Sequence, residues 1–351
     1  SYAAGIEQRY GLFSWEGGKG FYHLTNMIYA IFGPNFLLPK MVNALLGALL
    51  PFFAYDLGLR LFADTRAAWR TFLFTAFLPP LVIYSAVTLK EIPTAFLLVF
   101  ILWFLVVSPR SVIEKTVGVV VSLAVLYWLR GAPWMVMALM GVATYLLLGE
   151  TWRLRSVIGM RLLPNLLLGG LVAFFVLPFL LEPIREVVLS RLTREALLER
   201  YIDSSATVMQ FVDISQPLSF QNLAIFFFRG LYSPSPLRFL FDYGLSPIIE
   251  ALTMIVWYVL FPFAIIGFLA ERRKGGVIAC GVIGLGILAV ATMGVMVGTD
   301  PYRHRVPMMG LLFILAGGGF TREVWRRNQN IFYLWWLGVF LFTASWIRFR
   351  I

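Results

Sequence analysis

Cysteine, histidine and charge are all scarce in this chain of 351 residues, and each shortage removes a class of function. Cys280 is the one cysteine and sits inside an apolar run, which excludes a disulfide-stapled fold and leaves no basis for redox chemistry. The two histidines, His23 and His304, show no short metal-ligand spacing. Charged residues make up 13% of the chain, against roughly 25% in an ordinary soluble domain. That is too few to cover a water-soluble globule, and the same low polarity excludes disorder. There is no phosphate-cradling G-x-x-x-x-G-K-[ST], dinucleotide fingerprint, H-E-x-x-H or nucleophile elbow, so soluble nucleotide chemistry is unsupported.

What is abundant is hydrophobicity: 60% of residues are hydrophobic and 16% aromatic. Runs of roughly 20 residues are needed to cross a ~30 Å hydrocarbon layer, and charges, Pro pairs and Gly clusters divide the sequence into about ten such runs. The expected spans are 37–59, 67–86, 91–107, 112–129, 132–148, 162–181, 247–270, 276–297, 306–320 and 331–347. Segments such as FLLVFILWFLVV are apolar at both parities, which is helical rather than β-barrel patterning. The fold class is therefore all-α, a polytopic transmembrane helical bundle. Four parts are expected: an outer loop with an interfacial helix (1–36), six spans (37–181), a long outer segment with an amphipathic helix (182–246) and four spans (247–351). No period of 20 to 50 residues repeats, so neither a solenoid nor an inverted-repeat transporter is supported.

In a soluble protein a net charge of +11 would suggest nucleic acid; here it reports topology, and no nucleic-acid partner is expected. Alternate connections carry Arg60, Arg66 and Arg70; Arg110 and Lys115; Arg153, Arg155 and Arg161; Arg272, Arg273 and Lys274; and Arg322, Arg326 and Arg327. The positive-inside rule makes these loops cytoplasmic and places residues 1–36, 85–91, Arg130, 182–246 and 298–305 outside. With no signal peptide and no initiator Met, this topology predicts either one more span upstream of Ser1, the favoured reading, or a translocated tail. In FYHLTNMIYAIF, Phe21, Leu24, Ile28 and Ile31 form an apolar stripe, predicting an interfacial helix with His23 and Asn26 on its polar side. A second amphipathic helix is predicted over 183–201.

The outer segments gather Glu7, Glu16 and Glu91 with Lys19, Lys40, Lys90, Arg130, Arg303 and Arg305, and with both histidines. Charges at a membrane mouth face a cavity, a partner or water, because facing lipid costs several kcal/mol. In TLKEIP, Glu91 falls in the first turn of a span, where it either satisfies the helix dipole or aims into an outward cavity to hold a metal or orient an acceptor. In TDPYRHR, Arg303 and Arg305 either anchor headgroups or clamp a phosphate. Arg130 in YWLRGAP shares that phosphate or snorkels. His23, Glu91 and His304 are the candidates for a divalent metal; no other cofactor is expected. Asp56 and Arg60, four apart near the inner end of the first span, predict a local ion pair. The aromatics of NIFYLWWLGVF read as an interfacial belt.

The order KGFYHLTNMIYAIFG, PKMVNALLGALLPFFAYDLGLRLF, FLPPLVIYSAVTLKEIPTAFLLVF, then LAVLYWLRGAPW and GTDPYRHRVPMMGLLFILAGGGF, resembles the polytopic glycosyltransferases of the GT-C superfamily. The nearest branch is that of protein O-mannosyltransferases and lipid A aminoarabinose transferases, over about two thirds of the chain. The resemblance implies inverting transfer of a sugar from a polyprenyl-phosphate or polyprenyl-diphosphate carrier to an acceptor glycan, lipid or protein at the outer face of the cell membrane. It also implies roles. Lys19 falls on a lysine before the first interfacial helix, Lys40 on a usually basic slot, Glu91 on the second-loop acid, and Arg303 and Arg305 on a late Arg-x-Arg. Cations would neutralise the departing carrier phosphate, and a carboxylate would take the acceptor proton or bind a metal. The family's catalytic Asp lies further upstream of the lysine than this chain reaches; only Glu7 and Glu16 precede Lys19, so the main base is expected before Ser1. Two other readings remain open. One is an O-antigen-type polymerase or ligase using diphosphate-linked oligosaccharides; the other is a non-catalytic membrane subunit or transporter.

Overall fold

The computed structural model describes residues 19–77, 79–86, 90–148, 231–232, 245–296 and 301–350. The expected span 162–181, the amphipathic helix 183–201, the basic stretch 153–161 and both Glu7 and Glu16 lie outside the described residues. Among those described, the structure is helical and contains no strand. The helices are α1 (Gly20–Phe32), α2 (Leu37–Phe62), α3 (Thr65–Phe77), α4 (Pro79–Ser85), α5 (Glu91–Val106), α6 (Val112–Arg130), α7 (Ala132–Leu148), α8 (Leu245–Ala270), α9 (Gly275–Met296), α10 (Pro301–Gly319) and α11 (Arg322–Arg350). Leu37–Phe62, Val112–Arg130 and Ala251–Ala270 are long and apolar enough to cross a membrane, and Glu91–Val106, Ala132–Leu146, Gly275–Leu288 and Arg305–Gly319 are shorter apolar helices. The chain is a polytopic membrane helical bundle.

Several expectations change in detail. The span expected at 67–86 is two helices, α3 and α4, because Pro79 and Pro80 have no N–H to continue the first and instead open the second. The last span starts earlier, at Arg322. Its basic residues belong to the helix, and the kink falls at Asn328 (φ −128°, ψ 18°), whose side-chain amide donates to the Val324 carbonyl (2.9 Å). Asp56 does not pair with Arg60; it accepts from the Trp103 indole (3.3 Å).

α10 is the axis. It packs against α2, α3, α5, α8 and α9, and every residue from Arg305 to Gly319 is buried. In lipid, helices associate through close packing of small residues rather than hydrophobic burial. Here α8 and α10 meet backbone to backbone: a Cβ on Gly267 would strike the Leu315 carbonyl oxygen, and one on Gly319 the Phe263 carbonyl oxygen. Gly317 receives Thr71 of α3. Gly310 meets Val99 of α5 at 3.1 Å from where its Cβ would stand. Large apolar residues such as Leu45, Phe52, Leu285, Leu337 and Phe340 are left exposed on the outside, where lipid covers them.

Pro262 lies inside α8 and supplies no N–H, so the Tyr258 carbonyl one turn back loses its helical donor. The Trp335 indole of α11 fills that place, donating to the Tyr258 carbonyl at 2.8 Å. Proline in one helix thereby fixes the position of another.

Two outcomes follow for thermal unfolding in detergent. Gly267→Ala is expected to lose about 1–3 kcal/mol by overpacking, whereas Gly284→Ala, with nothing within 4 Å of its Cβ position, gains about 0.5–1 kcal/mol from helix propensity. Trp335→Phe is expected to cost about 1–3 kcal/mol by stranding a buried carbonyl. Adding Pro262→Ala should abolish most of that cost by restoring the helical donor, and additive losses would refute the pairing.

Candidate functional site

The polar site is built where α5 begins and α6 ends. Glu91 occupies the first turn of α5, where the exposed N–H groups favour a carboxylate, and Arg130 occupies the last turn of α6, where carbonyls favour a cation. Gly131 (φ 86°) reverses the chain in one residue, and its N–H closes on the Tyr127 carbonyl (2.6 Å). That turn brings Trp134 of α7 under the Arg130 guanidinium, 4.8 Å from ring centre. Arg130 Nη2 and Glu91 Oε1 are 3.3 Å apart, with the side chains only 6% and 3% exposed. Arg130 Nε donates to Thr94 Oγ1 (3.1 Å), and that hydroxyl donates to the Lys90 carbonyl (2.6 Å). The guanidinium is thus held by a carboxylate, a hydroxyl and a ring face, so its position is determined rather than snorkelling.

α1 packs on α6 beside this group, with an orientation the sequence did not suggest. His23, Thr25 and Asn26 are buried together with Phe21, while Met27, Ile31 and Phe32 are exposed, so the polar side meets the bundle rather than water. The reason is Gly20, which lies against Trp128 of α6 so closely that a Cβ would strike the indole. The His23 ring stacks on the same indole, 6.4 Å between centres and 13° between planes. Lys19, half-buried, precedes this contact, and its carbonyl accepts from the N–H of Tyr22 (3.0 Å). On α2, Gly47 packs on Ser85 and Ile92; Asn43, fully buried, stands one turn nearer the helix start, and Lys40 roughly 10 Å beyond Gly47. Lys40 is half-exposed, its ammonium 5.1 Å from the centre of the Phe36 ring. Lys19, His23, Lys40, Lys90, Glu91 and Arg130 therefore gather at one end of the bundle.

The late pair is differently placed. Residues 303–305 were expected in a loop, but α10 starts at Pro301 and takes them into its first turns. At about 100° per residue, positions 303 and 305 stand roughly 200° apart around the helix, which separates them more than a loop clamp would. The side chains of Arg303 and His304 lie outside the described residues. Arg305 is 1% exposed. Its Nη1 donates to the Leu231 carbonyl (3.1 Å), which also accepts from the Trp257 indole (2.9 Å), and its guanidinium lies 5.1 Å from the Trp257 ring centre. Because Gly310 sits level with Val99, counting back along both helices brings Arg305 to about the height of Thr94.

Thr94, Trp128, Trp134, Asn43 and Trp257 complete these surroundings and were not singled out from sequence. Thr94 follows Glu91 by one helical turn, the only local signal among them. Among the described residues no three His, Cys, Asp or Glu side chains converge on a metal position.

The arrangement of helices can be set beside known proteins. No protein-family profile matches the chain, and no curated protein matches it. Among solved structures there is a likeness of helical fold. Two crystal structures of ArnT from Cupriavidus metallidurans are similar. For the apo form the TM-score is 0.49, with 17% identity over 91% of this chain and 52% of that one. For the form bound to undecaprenyl phosphate the TM-score is 0.50, with 17% identity over 91% of this chain and 53% of that one. The chain spans about half the length of the structures it matches, and the likeness is one of fold.

Removing either partner of the Glu91–Arg130 pair leaves a buried charge, so Glu91→Gln or Arg130→Ala should lower stability by about 3–5 kcal/mol. Glu91→Leu combined with Arg130→Met should recover most of it in a thermal unfolding series. A loss in the double variant equal to the sum of the single losses would show that the two side chains do not act as a pair.

Proposed function

We propose that this chain is a membrane glycosyltransferase that moves a sugar from a polyprenyl-phosphate carrier to an acceptor hydroxyl on the extracytoplasmic side. The observation that carries the reading is that Lys19, Lys40 and Lys90 stand at the same end of the bundle as the buried Glu91–Arg130 pair, in a fold like that of ArnT. α2 and α5 both begin at this end, so their N-terminal N–H groups add positive potential for a phosphate. The ArnT structure bound to undecaprenyl phosphate supports a carrier of that class. The opposite end carries the exposed Arg60, Arg66, Arg110, Arg272 and Arg273, which by the positive-inside rule is the mark of a cytoplasmic end.

In this reading the acceptor oxygen attacks the anomeric carbon as the bond from that carbon to the carrier phosphate breaks. Polyprenyl phosphate leaves with the bonding pair, and the acceptor proton passes to a carboxylate. Lys19, Lys40 and Lys90 stabilise the phosphate as its charge develops. Arg130 is oriented toward the site by Glu91 and Thr94, and Arg303 and Arg305 add positive charge from α10. Glu91 is the described acid of the site, with Glu7 and Glu16 as further candidates for the base. A divalent metal held with His23, Glu91 or His304 would serve the same phosphate.

Binding of undecaprenyl phosphate to the purified chain tests this. Lys19→Ala, Lys40→Ala and Lys90→Ala are each expected to weaken it roughly tenfold, or about 1.4 kcal/mol, without lowering the unfolding temperature. Binding unchanged in all three would overturn the phosphate site.

A further inference from the structure

The end of the bundle away from Glu91 holds a second concentration of charge that the proposed transfer does not use. α2 and α5 finish there and α9 begins. Lys274 Nζ donates to the Leu61 carbonyl (2.7 Å), Lys115 Nζ donates to the Leu105 carbonyl (3.2 Å), and position 276 packs on Leu61 and Val106. These contacts draw Arg60, Arg110, Arg272 and Arg273, distant in sequence, to one corner, with Arg60 near enough to Lys115 for like charges to repel. The acids of the corner are already engaged. Glu271 pairs with Lys274 (3.0 Å), Glu114 accepts from the Ser111 N–H (3.1 Å), and Asp56 accepts from Trp103 (3.3 Å). Arg110, Arg272 and Arg273 are exposed, and among the described residues no acid lies against their side chains.

We propose that Arg110, Arg272 and Arg273 form a binding site for the phosphate of an anionic phospholipid headgroup at the junction of α2, α5 and α9. Like charges gathered at the edge of a low-dielectric region repel, and an anion between them relieves that repulsion. Guanidinium forks match phosphate oxygens two at a time. Val112 and Ile113, exposed beside Arg110, give the apolar wall that acyl chains need and a free phosphate does not. The site is separate from the donor site and stands independently of the transfer reaction.

Native mass spectrometry of the full chain, taken from mixed phosphatidylglycerol and phosphatidylcholine micelles, tests it. Phosphatidylglycerol should be retained roughly fivefold over phosphatidylcholine, about 1 kcal/mol in all. Arg110→Gln with Arg272→Gln and Arg273→Gln should bring retention to parity, while Arg326→Gln with Arg327→Gln at the start of α11 leaves it unchanged. The corresponding triple Lys variant keeps the charge that sets topology and should recover only part of the preference. Equal loss in both Gln variants would show a diffuse charge effect and overturn the site. Unchanged retention in the triple Gln variant, or displacement of the lipid by millimolar inorganic phosphate, would overturn it as well.

Discussion

Every residue of α10 from Arg305 to Gly319 is buried, so this helix has no face left for lipid, and its neighbours must approach it from all round. Hydrophobicity cannot drive that approach inside a membrane, where lipid is as apolar as leucine. Close contact does, and it requires small residues where backbones cross. Gly267 and Gly319 let α8 and α10 touch through their main chains, and Gly317 admits Thr71 from α3. Once α10 is enclosed, the heights of α5 and α8 relative to it are set, because Gly310 meets Val99 and Arg305 meets Trp257. The level of the polar groups at the Glu91 end thus follows from glycine contacts deeper in the bundle.

The two ends of the bundle solve the helix-terminus problem in opposite ways. Where α2, α5 and α10 finish, their last carbonyls lack intrahelical donors, and basic side chains supply them: Lys274 to Leu61, Lys115 to Leu105 and Arg70 to Gly317 (3.4 Å). Where α2, α5 and α10 begin, N–H groups are in surplus, and the acid Glu91 stands in the first turn of α5. Those three basic side chains at the finishing end are consumed by the fold itself. At the starting end, lysines are added to a potential that is already positive, and such an end suits a phosphate.

Helical class and membrane character were legible because they rest on composition and on runs of apolar residues, which a single sequence displays directly. Pairings across the bundle were not. Asp56 and Arg60 are four residues apart and looked like partners, yet Asp56 turns to Trp103, which lies forty-seven positions away. The helix α1 was correctly located, but not which residues meet the bundle: His23 and Asn26 are buried as well as Phe21. An amphipathic pattern says that one side is polar without saying whether water or protein meets it, and the contact of Gly20 with Trp128 decides that. Residues 303–305 read as an outer loop before the next span, but Pro301 is a first helical residue, and both positions belong to α10.

The Glu91–Arg130 pair is the group hardest to explain as mere support. Desolvating two charges costs as much as their attraction returns, so an apolar pair of similar volume would hold α5 to α6 as well or better. The fold nevertheless supplies Arg130 with Thr94, a Trp134 ring face and a helix C-terminus, and places Glu91 on a helix N-terminus. That investment fixes where a guanidinium stands and which way its fork points, beneath a helix whose own polar side, His23 and Asn26, is turned inward rather than to water. Stability alone requires neither the inward polar face nor the buried fork. A reaction that needs positive charge held at a set place, on the side where lysines collect, requires both.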